Sequence, residues 1–313
     1  MCGFLGFVNF KGINKNKLIE LSHHLHHRGP DSESYFIDEK KQIYLCHKRL
    51  SIIDVSLNAS QPMYSESKRY IIMFNGEIYN FRNLKNKYLT NYKFQSTSDT
   101  EVILGLVELF GFNDTISKLE GMFSIAIFDN KENKFLFARD RFGEKPLYYS
   151  FNDYSKNFFF TSDLIFLKKS DLFKNQINQK ALGLYFQYNY IPSPYSIYEN
   201  IYKLKPGEII EYSLSNHKIK KSIYFDSRKL FNNDKINLSF KESSQKLDNL
   251  LTDKINDQMT SDVPIGTFLS GGIDSTLITT IISKKFVKKI DTFTIGFKND
   301  DFNETEKAAK IAK

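Results

Sequence analysis

Thiols are scarce in this chain. Cys2 and Cys46 are the two cysteines among 313 residues, which excludes the disulfide framework that staples small secreted domains. Long apolar runs are lacking too. No stretch approaches the ~20 apolar residues of a membrane-spanning helix. The apolar run at 4–10 has no basic segment before it and no small-residue cleavage site after it, so it does not read as a signal peptide. The cytoplasm follows as the default compartment. Internal repeats, low-complexity tracts and a basic tail are also missing. The net charge of +8 is spread along the whole chain and gives no argument for a nucleic acid or a membrane as partner. What is present is an ordinary globular composition, 41% hydrophobic and 26% charged. The length exceeds what one core usually organises, so two domains are expected.

The first two hundred residues read as many short strands with a few helices. A strand is expected at 3–8, a helix at 15–27, strands at 34–37, 43–47 and 70–74, and helices after Asn80 and Ser98. Segments 122–128, 134–138, 147–151 and 157–161 then alternate or run apolar between turn residues, as antiparallel strands packed in layers do. The stretch 191–237, with Pro192, Pro194 and Pro206-Gly207, reads as a connector carrying a few strands. From 240 the rhythm becomes helix 241–259, strand 266–269, helix 273–285, strand 292–297 and an amphipathic segment 303–313. That is the winding of a parallel α/β sheet.

Loss of Met1, which precedes a small residue, would leave Cys2 at the N-terminus with its α-amine beside its thiol. An α-amine titrates near ~8 and a thiol near ~8.5, so at neutral pH part of the amine is an uncharged base able to take the thiol proton. The thiolate is then the nucleophile. Cys46 lies in an apolar stretch and reads as a small core residue. Asn75-Gly76 has two readings. Between extended segments the dipeptide fits a tight hairpin turn, while an Asn75 amide with the Gly76 backbone N–H fits an oxyanion hole. Ser98 to Glu101 fits a capping box, which alone explains Asp99 at a helix start. Arg49, between Lys48 and Leu50, reads equally as a salt-bridge partner. His23 and His27 stand at i, i+4 spacing on the expected helix. No third ligand is near in sequence, so no metal is assigned.

Ser270-Gly271-Gly272-Ile273-Asp274-Ser275 follows the strand ending at Leu269 and opens an apolar helix. Two glycines let backbone wrap a phosphate, the helix N-terminus favours the anion, and serine hydroxyls add donors. A plain strand-to-helix turn needs no serine on both sides. No lysine follows the second glycine, so the Walker pattern is absent.

Read in order, Cys2-Gly3, Arg28-Gly29-Pro30-Asp31, Arg49-Leu50-Ser51-Ile52-Ile53-Asp54, Asn75-Gly76-Glu77-Ile78-Tyr79-Asn80, Ser98-Asp99-Thr100-Glu101, Gly121-Met122-Phe123 and Arg139-Asp140-Arg141-Phe142-Gly143-Glu144-Lys145-Pro146-Leu147-Tyr148-Tyr149 resemble the landmarks of the glutaminase domain of glutamine-hydrolysing asparagine synthetases. The Ser270 loop resembles the pyrophosphate loop of ATP pyrophosphatases, as that family's second domain has. The resemblance implies an N-terminal-nucleophile hydrolase fold, a four-layer α-β-β-α sandwich, over 2–210. A connector over 211–239 and the truncated start of a doubly wound α/β ATP-pyrophosphatase domain over 240–313 would follow. It implies Cys2 as nucleophile and Asn75 and Gly76 as oxyanion hole. Arg49 would clasp the glutamine carboxylate bidentately, Glu77 and Asp99 would hold its α-ammonium, and Leu50, Ser51, Ile52 and Ile53 would line the pocket. ATP with Mg2+ would sit on Ser270, Gly271, Gly272, Asp274 and Ser275, with Leu269 and Ile295 near the adenosine.

The implied reaction is glutamine hydrolysis at Cys2, which supplies ammonia for ATP-dependent amidation of aspartate through an aspartyl adenylate. Relatives that amidate another carboxylate, for example in surface polysaccharide synthesis, are the alternative, because the residues choosing the acceptor are expected beyond Lys313. Transfer-RNA-modifying enzymes share the ATP loop without the glutaminase landmarks. Amidotransferases making glucosamine phosphate or phosphoribosylamine share the cysteine without the loop. A silent binding protein would not need every mechanistic residue. Glutamine, aspartate and ATP are the expected partners, with neither nucleic acid nor membrane, and the resemblance admits a homodimer.

Overall fold

The computed structural model describes residues 2–152, 154–170, 172–232, 237–287, 289–298 and 303–313. The chain forms two units, Met1–Asn232 and Asn233–Lys313. Alternation along the strands organises the first. In β1 (Gly3–Val8), Phe4 and Val8 enter one core while Leu5 and Phe7 enter another. In β5 (Tyr70–Ile78), Ile71 and Met73 join the first core while Ile72 and Phe74 join a third. Successive side chains face opposite ways, so β1 and the first half of β5 are covered on both faces, and 3–8 and 70–74 read as apolar runs for that reason.

Two six-stranded antiparallel sheets result. One orders β10 (Tyr202–Lys203), β8 (Tyr148–Phe151), β9 (Phe158–Thr161), β1, β3 (Ile43–Arg49) and β2 (Ser32–Asp38). The other orders β12 (Ile219–Ile223), β11 (Glu208–Ser213), β7 (Lys134–Arg139), β6 (Gly121–Asp129), β5 and β4 (Met63–Tyr64). The core between them is aromatic: Phe158 stacks on Tyr212 at 4.3 Å, and Phe137 meets Phe160 edge-on at 4.8 Å. Each such buried ring contributes about 1.5–3 kcal/mol. Gly6 makes room for them, since a Cβ there would strike the Phe160 ring. Leu18 and Leu21 of α1 (Lys15–His23) cover the outer face of the first sheet. Helices α2 (Phe81–Tyr88), α3 (Asp99–Phe110) and α4 (Phe112–Lys118) cover the second. The layers run α-β-β-α, and α5 (Gln179–Tyr188) follows, started by the Asn178 side chain on the Ala181 N–H.

The second unit contains α6 (Phe240–Gln258), β13 (Gly266–Phe268), α7 (Ile273–Lys285), β14 (Asp291–Phe293) and α8 (Thr305–Ala312). Strands β13 and β14 pair in parallel with α7 between them in sequence, the repeating βαβ step of a doubly wound sheet. A small core of Ile255, Ile281 and Ile282 holds the helices. Among the described residues, no helix is long and apolar enough to cross a membrane.

Several local expectations change. The Asn75-Gly76 hairpin does not form, because β5 runs through both residues and pairs Asn75 with Ser124 and Gly76 with Phe123. The helix expected over 15–27 stops at His23, and His26–Arg28 makes a separate 3-10 turn. His23 and His27 therefore do not share a helix face, and His27 lies 3.3 Å from Asp163. The stretch expected as connector supplies β12 and the end of β11, whose Ile209, Ile210 and Tyr212 are buried beside β7. The strand expected over 292–297 is confined to β14, and Cys46 is buried in β3.

Candidate active site

The start of β1, the end of β3 and the second half of β5 meet at a cavity of about 290 Å³. Register explains the meeting. Gly3 pairs with Lys48, so the antiparallel strand β1 begins where β3 ends. Cys2, Arg49, Leu50, Ile52, Ile53, Asn75, Gly76, Glu77 and Asp99 all line the cavity. The Cys2 Sγ accepts the Leu50 N–H at 3.4 Å and donates to the Leu50 carbonyl at 3.6 Å. Burial pushes the thiol pKa up, while the Leu50 hydrogen bond, the N-terminal charge and Arg49 pull the other way. A thiol so placed needs a base to become a nucleophile.

Asn75 is 1% exposed, yet among the described residues neither atom of its side-chain amide has a hydrogen-bond partner. Leaving a buried polar group unpaired costs about 1–3 kcal/mol. An unpaired amide on a cavity wall is therefore a group available to whatever enters. Gly76 beside it tolerates no side chain, since a Cβ would run into the Met122 carbonyl and stand 2.7 Å from the Phe123 Cα.

Two carboxyls share the wall. Asp99 opens α3 behind its N-cap Ser98 and accepts the Ile78 N–H at 3.0 Å. Burial raises its pKa to about 6 against hydrogen bonds from Ile78, Thr100 and its own N–H and the Arg49 charge. Glu77 rises to about 7 through burial and the nearby Asp99, with Lys145 opposing. The capping box is half formed: the Ser98 side chain takes the Glu101 N–H, but the Glu101 carboxylate reaches Gln95 and Ser96 instead of the Ser98 N–H.

Arg49 is 5% exposed and its fork is engaged. One Nη1 N–H goes to the Ser56 carbonyl at 2.7 Å, and Nη2 goes to the Ile53 carbonyl at 3.2 Å and to that of Asp54. With both Nη2 protons used, a bidentate clasp is not open to it in this conformation, and Nε–H and one Nη1 N–H remain. Ser51 is not on the cavity wall; its N–H bonds Asp31 at 2.8 Å. Sequence reading overlooked Gln61, Met122 and Lys145, which do line it. Met122 and Lys145 stood in quoted motifs without a role; no local pattern marks Gln61.

In the second unit Ser270 and Ser275 hydroxyls lie 3.0 Å apart, and the Ser275 hydroxyl bonds the Gly272 carbonyl at 3.3 Å. Gly271 takes φ +80°, which an L side chain rarely adopts. Gly272 caps α7 with no side-chain hydrogen bond, so the helix N-terminus is not satisfied by its own cap. Asp274 is in the first turn of α7, Leu269 is 1% exposed, and Ile295 lies past β14 and is 70% exposed.

The chain is similar to known proteins along its whole length. The family described as a glutamine amidotransferase domain matches residues 1–225, and the family described as asparagine synthase matches residues 246–313. The chain is 34% identical to asparagine synthetase (glutamine-hydrolyzing) 1 of Bacillus subtilis, over 100% of its own length and 48% of that protein. It is 30% identical to asparagine synthetase B (glutamine-hydrolyzing) of Escherichia coli, over 93% of its length and 46% of that protein. The chain thus spans about half the length of these curated relatives. Among solved structures, the glutamine phosphoribosylpyrophosphate amidotransferase of B. subtilis, complexed with ADP and GMP, superposes with a TM-score of 0.52 at 15% identity, covering 96% of this chain and 68% of that one. That likeness is one of fold alone. The first match runs through the whole sandwich and past the end of β12, and the chain belongs to the glutamine amidotransferase family.

Proposed function

We propose that this chain hydrolyses glutamine at Cys2, and that the enzyme it belongs to is a glutamine-hydrolysing asparagine synthase that uses the ammonia to amidate aspartate with ATP. One observation carries the first step: the Cys2 thiol faces the same cavity as a buried, unpartnered Asn75 amide, with the carboxyls of Glu77 and Asp99 on the same wall. With Met1 removed, the α-amine of Cys2 takes the thiol proton and Sγ attacks the side-chain amide carbon of glutamine. The Asn75 amide and Gly76 N–H stabilise the oxyanion. The proton passes to the departing nitrogen, ammonia leaves, and water hydrolyses the γ-glutamyl thioester to glutamate. Glu77 and Asp99 hold the α-ammonium, and Arg49 offers the carboxylate its remaining N–H groups while its fork holds the 53–56 loop.

The uncapped start of α7, the converging serine hydroxyls and the left-handed Gly271 fit a phosphate. Ser270, Gly271, Gly272, Asp274 and Ser275 would hold the phosphates of ATP, with Leu269 and Ile295 toward the adenosine. Bound MgATP supplies activation of the acceptor carboxylate. A cytoplasmic location belongs to the same reading, because glutamine, aspartate and ATP are met there together.

The test is glutamate and ammonia release from glutamine. Cys2→Ala should abolish it with melting unchanged, whereas Cys46→Ala should keep turnover at a modest cost in stability. A homogeneous N-terminal extension before Cys2 should suppress it. Full turnover in Cys2→Ala would remove this function.

A further inference from the structure

The nucleophile and its oxyanion donors stand on different sheets. Cys2 precedes β1 in the first, while Asn75 and Gly76 belong to β5 in the second. Most of what joins the sheets is an apolar core, and apolar contact is non-directional. It sets a spacing without fixing how a peptide plane is turned. A catalytic donor placed about 1 Å wrong can cost about a hundredfold in rate, so something directional is needed at this end of the sandwich.

His47 supplies it. It lies on β3, opposite Phe4 of β1, and is fully buried. It has the same parity as Ile43 and Leu45, which face the core between the sheets. From there its Nε2 reaches across to the Phe74 carbonyl at 3.0 Å. A carbonyl can only accept, so Nε2 carries the proton and Nδ1 is a bare lone pair, which has no partner among the described residues. Burial holds the ring neutral, with its pKa down at about 4. The carbonyl it grips belongs to the peptide plane whose N–H is that of Asn75. The N–H of Phe74 is gripped in turn by Gln61 Oε1 at 2.7 Å. The backbone leading into the oxyanion residues is thus held by side chains at both the N–H and the carbonyl of Phe74.

We propose that His47 is a positioning residue whose Nε2–H, by holding the Phe74 carbonyl, aims the Asn75 and Gly76 donors of one sheet at the Cys2 thiol carried by the other. This rests on the reading of Cys2, Asn75 and Gly76 given above.

The test compares His47→Met, which keeps bulk and loses the donor, with His47→Gln, whose amide N–H can still reach the carbonyl. Three quantities are measured: glutaminase kcat and KM, affinity for glutamate γ-semialdehyde, and affinity for glutamine in the Cys2→Ala background. The aldehyde adds the Cys2 sulfur to its carbonyl carbon, the thiol proton passes to the α-amine, and the carbonyl oxygen becomes the alkoxide that the hole must hold. In His47→Met, kcat should fall about ten- to a hundredfold and aldehyde affinity should fall in step. KM, and glutamine affinity without the thiol, should stay within about twofold. His47→Gln should recover most of the loss. The proposal fails if His47→Met keeps kcat and aldehyde affinity, if glutamine and aldehyde affinities fall together, or if His47→Gln is as impaired as His47→Met. Should His47→Met not fold, His47→Asn, too short to reach the carbonyl, takes its place with the same expected pattern. An inactive parent chain would instead remove the reading of Cys2, and the role of His47 with it.

Discussion

Arg49 enters the cavity with its guanidinium already bonded to the carbonyls of Ile53, Asp54 and Ser56. The residue type was legible in the sequence and its direction was not, because a run of loop carbonyls leaves no mark on composition. The same holds for Ser51, adjacent to cavity residues yet turned to Asp31. For Arg49→Lys the expected result is a rise in KM for glutamine of about ten- to a hundredfold, since an ammonium cannot hold a planar fan of acceptors. An unchanged kcat/KM would confine Arg49 to a structural part away from glutamine. The carboxyl pair gives a prediction with a sign. Asp99 and Glu77 titrate at about 6 and about 7 in the fold, above their ordinary 3.8 and 4.5. The folded chain therefore holds protons that the unfolded chain releases. Their stabilising contribution is complete below about pH 4 and is lost as pH rises through about 7. On the proposed reading, glutamine's ammonium would replace those protons only when the carboxyls are ionised. In Cys2→Ala, glutamine should bind more tightly, and raise Tm further, at pH 8 than at pH 5. Calorimetry showing equal affinity at both would take the ammonium away from Glu77 and Asp99.

At the level of elements, periodicity found most of the strands because they are covered on both faces or alternate cleanly, as β1, β3 and β6 do. It failed where local chemistry and tertiary pairing disagree. Asn-Gly favours a turn, yet nine register pairs between β5 and β6 hold the dipeptide extended, and the long-range pairing wins. Glu101 likewise abandons the local capping bond because the chain at 95–96 folds back onto its carboxylate. Missing the extended form of Asn75-Gly76 hides why glycine is needed: the requirement is close backbone approach, not a left-handed turn. Gly76→Ala should therefore push β5 from β6 at Met122, destabilise the fold by about 1–3 kcal/mol, and lose turnover more severely than stability. Denaturant titration beside a glutaminase assay checks both. A fully active, equally stable variant would show that the strands can part at no cost.

For the whole molecule, the two units differ in how well their faces are covered. The first closes three cores around two sheets, whereas the second has, among the described residues, two three-residue strands and leaves Phe268, Ile273, Phe293 and Ile295 between 58% and 86% exposed. Ligands of doubly wound sheets bind in a crevice at the carboxyl ends of several strands. Among the described residues one parallel pair leads into the Ser270 loop, which leaves few walls for the adenine or amino acid of the proposed reaction. The sandwich extends past the boundary at 210 that the resemblance implied, because β11 is bonded to β7 and β12 to β11. Cutting at 210 would sever the inner strand β11 and remove Tyr212 from its stack on Phe158. Limited proteolysis of the 313-residue chain should therefore leave a fragment that ends beyond Ile223 and still hydrolyses glutamine. The intact chain should release no AMP from ATP and aspartate, whether ammonia or glutamine is supplied. A resistant core ending near 210 would mean that β11 and β12 are not integral to the sandwich. AMP and asparagine formed one for one would mean that the second unit already contains a complete nucleotide and acceptor site.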